Sequence, residues 1–365
     1  MEAIKEFLQR KDIVISAGRY GIGALGAMAQ GLFCSLLIGT ILNTLGKQLG
    51  IEALVQTGAY ASAMSGAAMA VAIGWALHAP PLVLFSLAAV GHAANALGST
   101  TLDGGAGAGG PLAVLFIAII AAELGKAVSK ETKVDILVTP LVTVLSGVGL
   151  SAALAPAIGT AATWVGEIIM WATELQPFLM GIVVSVVIGV ALTLPISSAA
   201  ICAAFGLTGL AGGAAVAGCC ANMVGFAVLS FRENRWGGLV SQGLGTSMLQ
   251  MPNIVRNPRI WLPAILTSAI TGPLATCVFH LEMNGPPVSS GMGTCGLVGQ
   301  IGVWTGWLAP SERAIANGAV AITPGVMDWA GLILISFVLP AVLCWAFGLF
   351  FRRIGWIKEG DLTLE

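Results

Sequence analysis

His280, Glu282, Asn284, Ser289, Ser290, Thr294 and Gln300 lie close together in a chain that is otherwise strongly apolar. The set holds an imidazole, a carboxylate, two amides and three hydroxyls. Such groups can match each hydroxyl of a polyol as donor or acceptor, and a carboxylate accepting from hydroxyls makes the stronger, charge-assisted bonds. The chemistry expected is recognition of a small polar solute rather than catalysis. The sequence shows no phosphate-binding loop, no Ser-His-Asp pattern and no metal-ligand cluster, so no catalytic residue, metal or cofactor is assigned. The competing reading is an external loop of Gly and Pro turns. Apolar sequence on both sides and closely recurring glycines between Gly285 and Gly299 weigh against it.

Two further breaks interrupt the apolar pattern. At Pro195-Ile-Ser-Ser-Ala-Ala200 the proline removes a helix donor, and Ser197 and Ser198 offer hydroxyls near a helix start; a plain N-cap is the alternative. Gly243-Leu-Gly-Thr-Ser-Met-Leu-Gln-Met-Pro-Asn253 carries Thr246, Ser247, Gln250 and Asn253. It lies between Arg235 and Arg256, which predicts a re-entrant or interfacial piece, either a gate or a structural hairpin. A faint internal repeat links His92-Ala-Ala-Asn95, before the loop Gly98–Gly110, with His280-Leu-Glu-Met-Asn284. Paired breaks in two halves point to a transporter binding site, so His92 and Asn95 join the candidates; chance likeness between Gly-rich loops is the rival.

These breaks must be held by membrane helices. Of 365 residues, 57% are hydrophobic and 9% charged, and the mean hydropathy is +0.92. A soluble protein carries roughly 25% charged residues, and many of the apolar runs reach the ~20 residues a span requires. The fold class expected is an all-α polytopic membrane protein. Spans are predicted at 22–46, 52–78, 81–98, 111–128, 136–158, 176–197, 211–231, 260–281 and 326–350. Short segments at 159–174, 198–210, 238–255 and 297–309 are ambiguous. In lipid, irregular backbone is tolerated only where protein buries it or it lines a cavity, so the 284–296 break marks a place where a solute is met partway across a bilayer.

Basic residues orient the chain. Lys5, Arg10, Lys11 and Arg19, then Lys126, Lys130 and Lys133, then Arg232, Arg235, Arg256 and Arg259, and finally Arg352, Arg353 and Lys358 all predict a cytoplasmic side. Both termini are then inside. Parity requires one more crossing between Lys133 and Arg232, assigned to the uncharged 198–210, for about ten spans with re-entrant hairpins. Residues 1–20, with Ile4, Phe7, Leu8, Ile13 and Ile15 among Lys5, Arg10 and Lys11, read as an interfacial amphipathic helix rather than a signal peptide. Residues 21–351 form the membrane domain and 352–365 a cytoplasmic tail.

The net charge of -1 supplies no field for nucleic acid. The seven cysteines read as small packing residues. Glu123 sits one turn from Lys126 and is expected to pair with it. Asp328 suits the start of the last helix, and His78 beside Pro80-Pro81 reads as a loop residue. Trp75, Trp164, Trp236, Trp304 and Trp307 fit interfacial anchoring.

The strings Leu194-Pro-Ile-Ser-Ser-Ala-Ala200, Gly206-Leu-Thr-Gly-Leu-Ala211, Gly218-Cys-Cys-Ala221, Gly243-Leu-Gly-Thr-Ser-Met-Leu-Gln250 and Gly291-Met-Gly-Thr-Cys-Gly-Leu-Val-Gly-Gln300 resemble the phosphotransferase-system EIIC-like membrane family of bacteria. The resemblance is to the branch that includes perfringolysin-regulator-like proteins, and it covers nearly the whole chain. It implies a sugar-translocating subunit of the bacterial inner membrane, a homodimer with about ten spans and re-entrant hairpins, and separate EIIB and EIIA phosphocarrier subunits. It also implies a His and a Glu near the hairpins, for which His280 and Glu282 are the suggested counterparts. A secondary permease for an organic acid or ion, or a membrane sensor without transport, are the alternative readings.

Overall fold

The computed structural model describes residues 2–364, with side chains from Glu6 onward, so the predicted roles of the Ile4 and Lys5 side chains fall outside the described residues. The described residues are mostly helical and hold no strand; two isolated bridges join Thr100 to Ala106 and Gly209 to Met283. The chain divides into two compact units, Met1–Ala162 and Thr163–Glu365.

In the first unit α1 (Glu2–Arg10) is short and amphipathic and stops at Arg10, well before residue 20. Asp12 then takes a left-handed φ of 52°, which ends any helix. The first span is α2 (Gly18–Leu49), followed by α3 (Glu52–Ala63) and α4 (Ser65–Ala76), bent by 48° at Met64. Next come α5 (Pro81–Gly98) and α6 (Gly110–Val128), each with proline in its first turn, where the missing N–H costs nothing. Helix α7 (Asp135–Thr173) runs 39 residues and crosses from one unit into the next. The predicted boundary at residue 158 is absent because Pro140 and Pro156 lie within the helix without ending it. Small residues bring these helices backbone to backbone: a Cβ on Gly91 would sit 2.2 Å from the Gly66 carbonyl oxygen, and one on Gly39 would sit 2.6 Å from that of Gly58.

The second unit centres on α10 (Gly209–Leu229), whose apolar window is 89% buried. Before it come α8 (Pro177–Thr193) and α9 (Ser198–Phe205). With eight residues α9 reaches only about 12 Å, so the extra crossing assigned to 198–210 has no helix able to make it. After α10 follow α11 (Phe231–Val240) and a run of short turns from Ser241 to Arg256. Then come α12 (Pro258–Val278), the broken stretch 279–297, α13 (Val298–Leu308) and α14 (Val326–Arg353). Among the described residues seven helices are long and apolar enough to span, or eight if α3 and α4 make one bent span. The shorter α8 is also apolar.

Local expectations fare as their physics dictates. Glu123 pairs with Lys126 at 3.0 Å, and Asp328 accepts the Gly325 N–H at 2.7 Å at the start of α14. His78 is an exposed loop residue with φ 56°. All seven cysteines are free thiols; Cys34 and Cys277 are exposed and the rest buried. Trp307 departs from the interfacial reading. It is 3% exposed and packs edge-on against Trp329 at 5.2 Å, inside the apolar cluster that holds Leu281, Met283 and Val303.

The C-terminal segment folds onto the turns after α11. Leu362 is fully buried. Its carbonyl accepts from Asn234 at 2.8 Å and from Gln250 at 3.0 Å, and Asn253 donates to the Thr363 carbonyl at 2.8 Å. Arg352, the last turn of α14, ion-pairs with Glu233 at 2.7 Å.

Candidate functional site

The break after α12 begins before any loop. Its last turn, Leu274–Val278, is wound as a π-helix, a local unwinding that frees backbone and recurs at functional sites. His280 then adopts φ 46°, which turns the chain out of the helix. Leu281 to Asn284 belong to no helix. The Met283 N–H and carbonyl exchange hydrogen bonds of 3.0 Å with Gly209 at the head of α10. Gly209 sits at φ 62°, a conformation that glycine adopts without strain. Asn284 locks the join: its Oδ1 accepts from the Gly209 N–H at 3.2 Å, while its Nδ2 donates to Glu282 Oε2 at 2.8 Å. A Cβ on Gly213 would lie 1.7 Å from the Leu281 carbonyl oxygen, so the close approach of break and helix depends on that glycine.

All three breaks seen in the sequence meet in the second unit. Ser198 Oγ at the start of α9 donates to the Gly291 carbonyl at 2.7 Å. Ser290 Oγ donates to the Leu207 carbonyl at 2.8 Å. Thr294 Oγ1 donates to the Gly243 carbonyl at 2.5 Å, which ties the third break to the first. Ser247 of that third break contacts Thr193 hydroxyl to hydroxyl at 2.8 Å. Asn284, Ser289, Ser290, Thr294 and Gln300 are all buried. Most of the 284–300 stretch is therefore packed inside protein, with Pro286, Val288 and Leu297 left exposed.

Most of these polar groups are spent on the fold, and a few keep spare capacity. Glu282 and His280 are exposed beside the join, and one Glu282 oxygen is left over from the Asn284 bond. Gln300 Nε2 donates to the Cys220 sulfur at 3.2 Å, but its Oε1 is buried with no partner. Ser336, in the π-helical turn of α14, also buries an unpaired hydroxyl. A cavity of about 210 Å³ opens beside the join, lined by Phe205, Gly206, Thr208, Arg313 and Asn317 among others. Asn317 Nδ2 donates to Thr208 Oγ1 there at 3.1 Å, and the Arg313 guanidinium lies over Gly206.

The remaining sequence candidates sit elsewhere. Ser197 is a plain N-cap, accepting the Ala200 N–H at 3.1 Å. His92 and Asn95 lie in the first unit, on the regular helix α5; His92 is exposed and Asn95 is half-buried near Ser65. His280, by contrast, stands outside any helix, so the two halves of the apparent repeat have different local structure. Sequence reading overlooked Asn222. This fully buried amide accepts from Trp261 Nε1 at 3.0 Å and from Thr193 Oγ1 at 3.2 Å, and donates to Ser268 Oγ at 3.3 Å. An amide alone in the middle of an apolar span was the signal that could have found it.

A family model described as Phosphotransferase system, EIIC matches residues 22–364, nearly the full chain. No curated protein and no solved structure matched it. With residues 22–364 covered by that model, the chain belongs to the phosphotransferase-system EIIC family.

Proposed function

We propose that the join between α10 and the 280–300 break is where this permease component of a sugar phosphotransferase system meets its solute, a sugar or similar small polyol. The observation that carries the reading is the convergence of all three sequence breaks, with polar groups left over, against one buried helix. Glu282 and Asn284 are the direct contacts: a carboxylate oxygen and an amide already oriented by each other. His280 supplies a further ring nitrogen, and Arg313 and Asn317 line the adjoining cavity. That cavity, at about 210 Å³, is below the ~300 Å³ of ordinary ligand pockets. A hexose-sized solute therefore needs the short segments α9, 287–297 and α13 to part, which is how a chain with no catalytic constellation contributes to group translocation. Separate EIIB and EIIA subunits phosphorylate the solute it delivers. The reading further takes the protein as a homodimer in a bacterial inner membrane with both termini cytoplasmic.

Uptake tests this directly. Proteoliposomes carrying the full chain, given a panel of labelled sugars and polyols with and without the phosphocarrier subunits, should accumulate one class. Glu282→Gln should weaken its binding by about tenfold or more, the range for hydrogen bonds to a charged group. Uptake of no sugar or polyol under either condition would refute the proposal; uptake driven by a cation gradient alone would favour the secondary-permease alternative.

A further inference from the structure

The most highly charged place in the first unit lies far in sequence from the solute site. Arg10, Lys11, Lys126 and Lys130 line a cavity of about 350 Å³ together with only two carboxylates, Asp12 and Glu131. Both carboxylates are already engaged. Glu131 is shared between Arg10 at 2.8 Å and Lys11 at 2.5 Å. Asp12 is held by Arg19 at 2.5 Å and by His78 at 3.1 Å. Lys126 is 1% exposed, and its ammonium donates to the Asp12 and Leu77 carbonyls at 2.7 and 2.9 Å while pairing with Glu123. The exposed Lys130 ammonium has no salt bridge among the described residues. Asp135, which accepts the Lys130 backbone N–H at 2.7 Å, is the remaining carboxylate nearby; set with Asp12, Glu123 and Glu131 against Arg10, Lys11, Arg19, Lys126 and Lys130, it leaves the basin a cationic surplus of one.

Its backbone is also unusual. Asp12, His78 and Lys130 are three of the six described non-glycine residues with positive φ, and all three belong to this cluster or its rim. Left-handed backbone at non-glycine positions persists only where surroundings hold it, and it gathers at ligand clamps. The flanking chain is apolar and open: Ile15 is 79% exposed, Ile136 77% and Leu137 65%. Beside a span, such side chains meet acyl chains. Cations at the end of a membrane helix next to lipid-facing aliphatic residues fit a headgroup and its tails together.

We propose that this basin binds the phosphate of an anionic phospholipid, with Arg10 and Lys130 as the accessible cations and Lys11 and Lys126 as the fixed ones. The shared chemistry is a phosphate anion; the aliphatic rim assigns it to a lipid rather than to free phosphate. The site is independent of the solute proposal, since every residue it uses lies in the first unit.

Native mass spectrometry of the purified full chain titrated with phosphatidylglycerol or phosphatidylcholine tests it. Phosphatidylglycerol should be retained preferentially. The double variant Arg10→Gln/Lys130→Gln should weaken that retention about 30-fold, from the worth of two surface cations near an anionic lipid. Lys133→Gln, three residues away and outside the basin, removes only the general attraction of one surface cation and should cost at most about fivefold. Glu131→Gln should tighten it by freeing two cations, which gives an independent reading should the double variant fold poorly. Equal retention of both lipids, an equal loss in Lys133→Gln, or no gain in Glu131→Gln would overturn the site. Binding of inorganic phosphate through the same residues at millimolar concentration would overturn the lipid assignment.

Discussion

The first unit keeps most of its backbone within long helices, π-helical turns at Gly18–Gly23 and Phe33–Leu37 included, and packs them through glycine. Gly31, Gly66 and Gly91 each press directly on a neighbouring carbonyl, and the charged groups gather around Asp12, Arg19, Glu123 and Lys126. The second unit interrupts its helices and satisfies the freed backbone with side chains. Every buried amide side chain among the described residues, from Asn222 to Gln300, lies there. The contrast shows what broken helices cost in an apolar setting: each freed carbonyl needs a hydroxyl or amide nearby. Ser198, Ser290 and Thr294 meet that need for Gly291, Leu207 and Gly243. Regular helices make a scaffold cheaply, whereas interrupted ones leave polar atoms where a solute can use them.

The largest effect that separates the units should come from Gly213→Leu. Its Cβ alone would meet the Leu281 carbonyl at 1.7 Å, and backbone on both sides leaves little room to yield. Overpacking that neighbouring side chains can absorb costs about 1–3 kcal/mol; a Cβ this close to a backbone oxygen cannot be absorbed that way, so the cost should exceed every one below and the variant should lose the join and fail to accumulate as folded protein in size-exclusion chromatography. Lys126→Met should come next, because it leaves Glu123 buried without its cation; breaking a buried pair costs about 3–5 kcal/mol. Thermal unfolding should register that loss, and Glu123→Gln in the same chain should restore much of it. Asn222→Leu removes the acceptor for Trp261 and Thr193 and should cost about 1–3 kcal/mol for the groups left unpaired. Should Asn222→Leu prove neutral in the same assay, the view that the second unit depends on its polar network would be broken.

The smallest effect is one of pH. The Arg19 guanidinium, helped by His78, holds the Asp12 carboxyl below the usual carboxylate range against a desolvation penalty that pushes the other way. A carboxylate depressed in the folded state stabilises above its unfolded pKa. That contribution is lost as pH falls through the ordinary carboxylate range toward the folded value. The midpoint of thermal unfolding should therefore drop as the solution is acidified below that range, and Asp12→Asn should flatten the slope. Half of the Asp12 side chain faces solvent, so screening keeps the effect small.

Hydrophobic runs were enough to locate the long helices, because length and apolarity are local properties. They placed a boundary at residue 158 that the structure lacks, since Pro140 and Pro156 lie within α7 without ending it. The parity argument from basic residues asked for a crossing at 198–210, where the structure holds an eight-residue helix. Counting charges cannot detect a short helix docked on another break. At the site, the seven residues from His280 to Gln300 were visible as polar groups in apolar sequence. Their partners were not, because Gly209, Leu207 and Gly243 contribute backbone atoms that no side-chain pattern advertises. Arg313 lay between the ambiguous 297–309 and the span 326–350, in a stretch for which no element was predicted. Trp307 was misplaced for the opposite reason: tryptophan suits both an interface and a core, and only its contact with Trp329 decides.

The most direct measurement sets the two regions against each other in one binding assay. The full chain is titrated, by thermal shift, with whichever sugar or polyol stabilises it, alongside Glu282→Gln/Asn284→Ala and His92→Ala/Asn95→Ala. The solute site proposed at the α10 join requires the first double variant to lose affinity by about tenfold to a hundredfold and the second to bind like the parent. Equal affinity in Glu282→Gln/Asn284→Ala and the parent would contradict it.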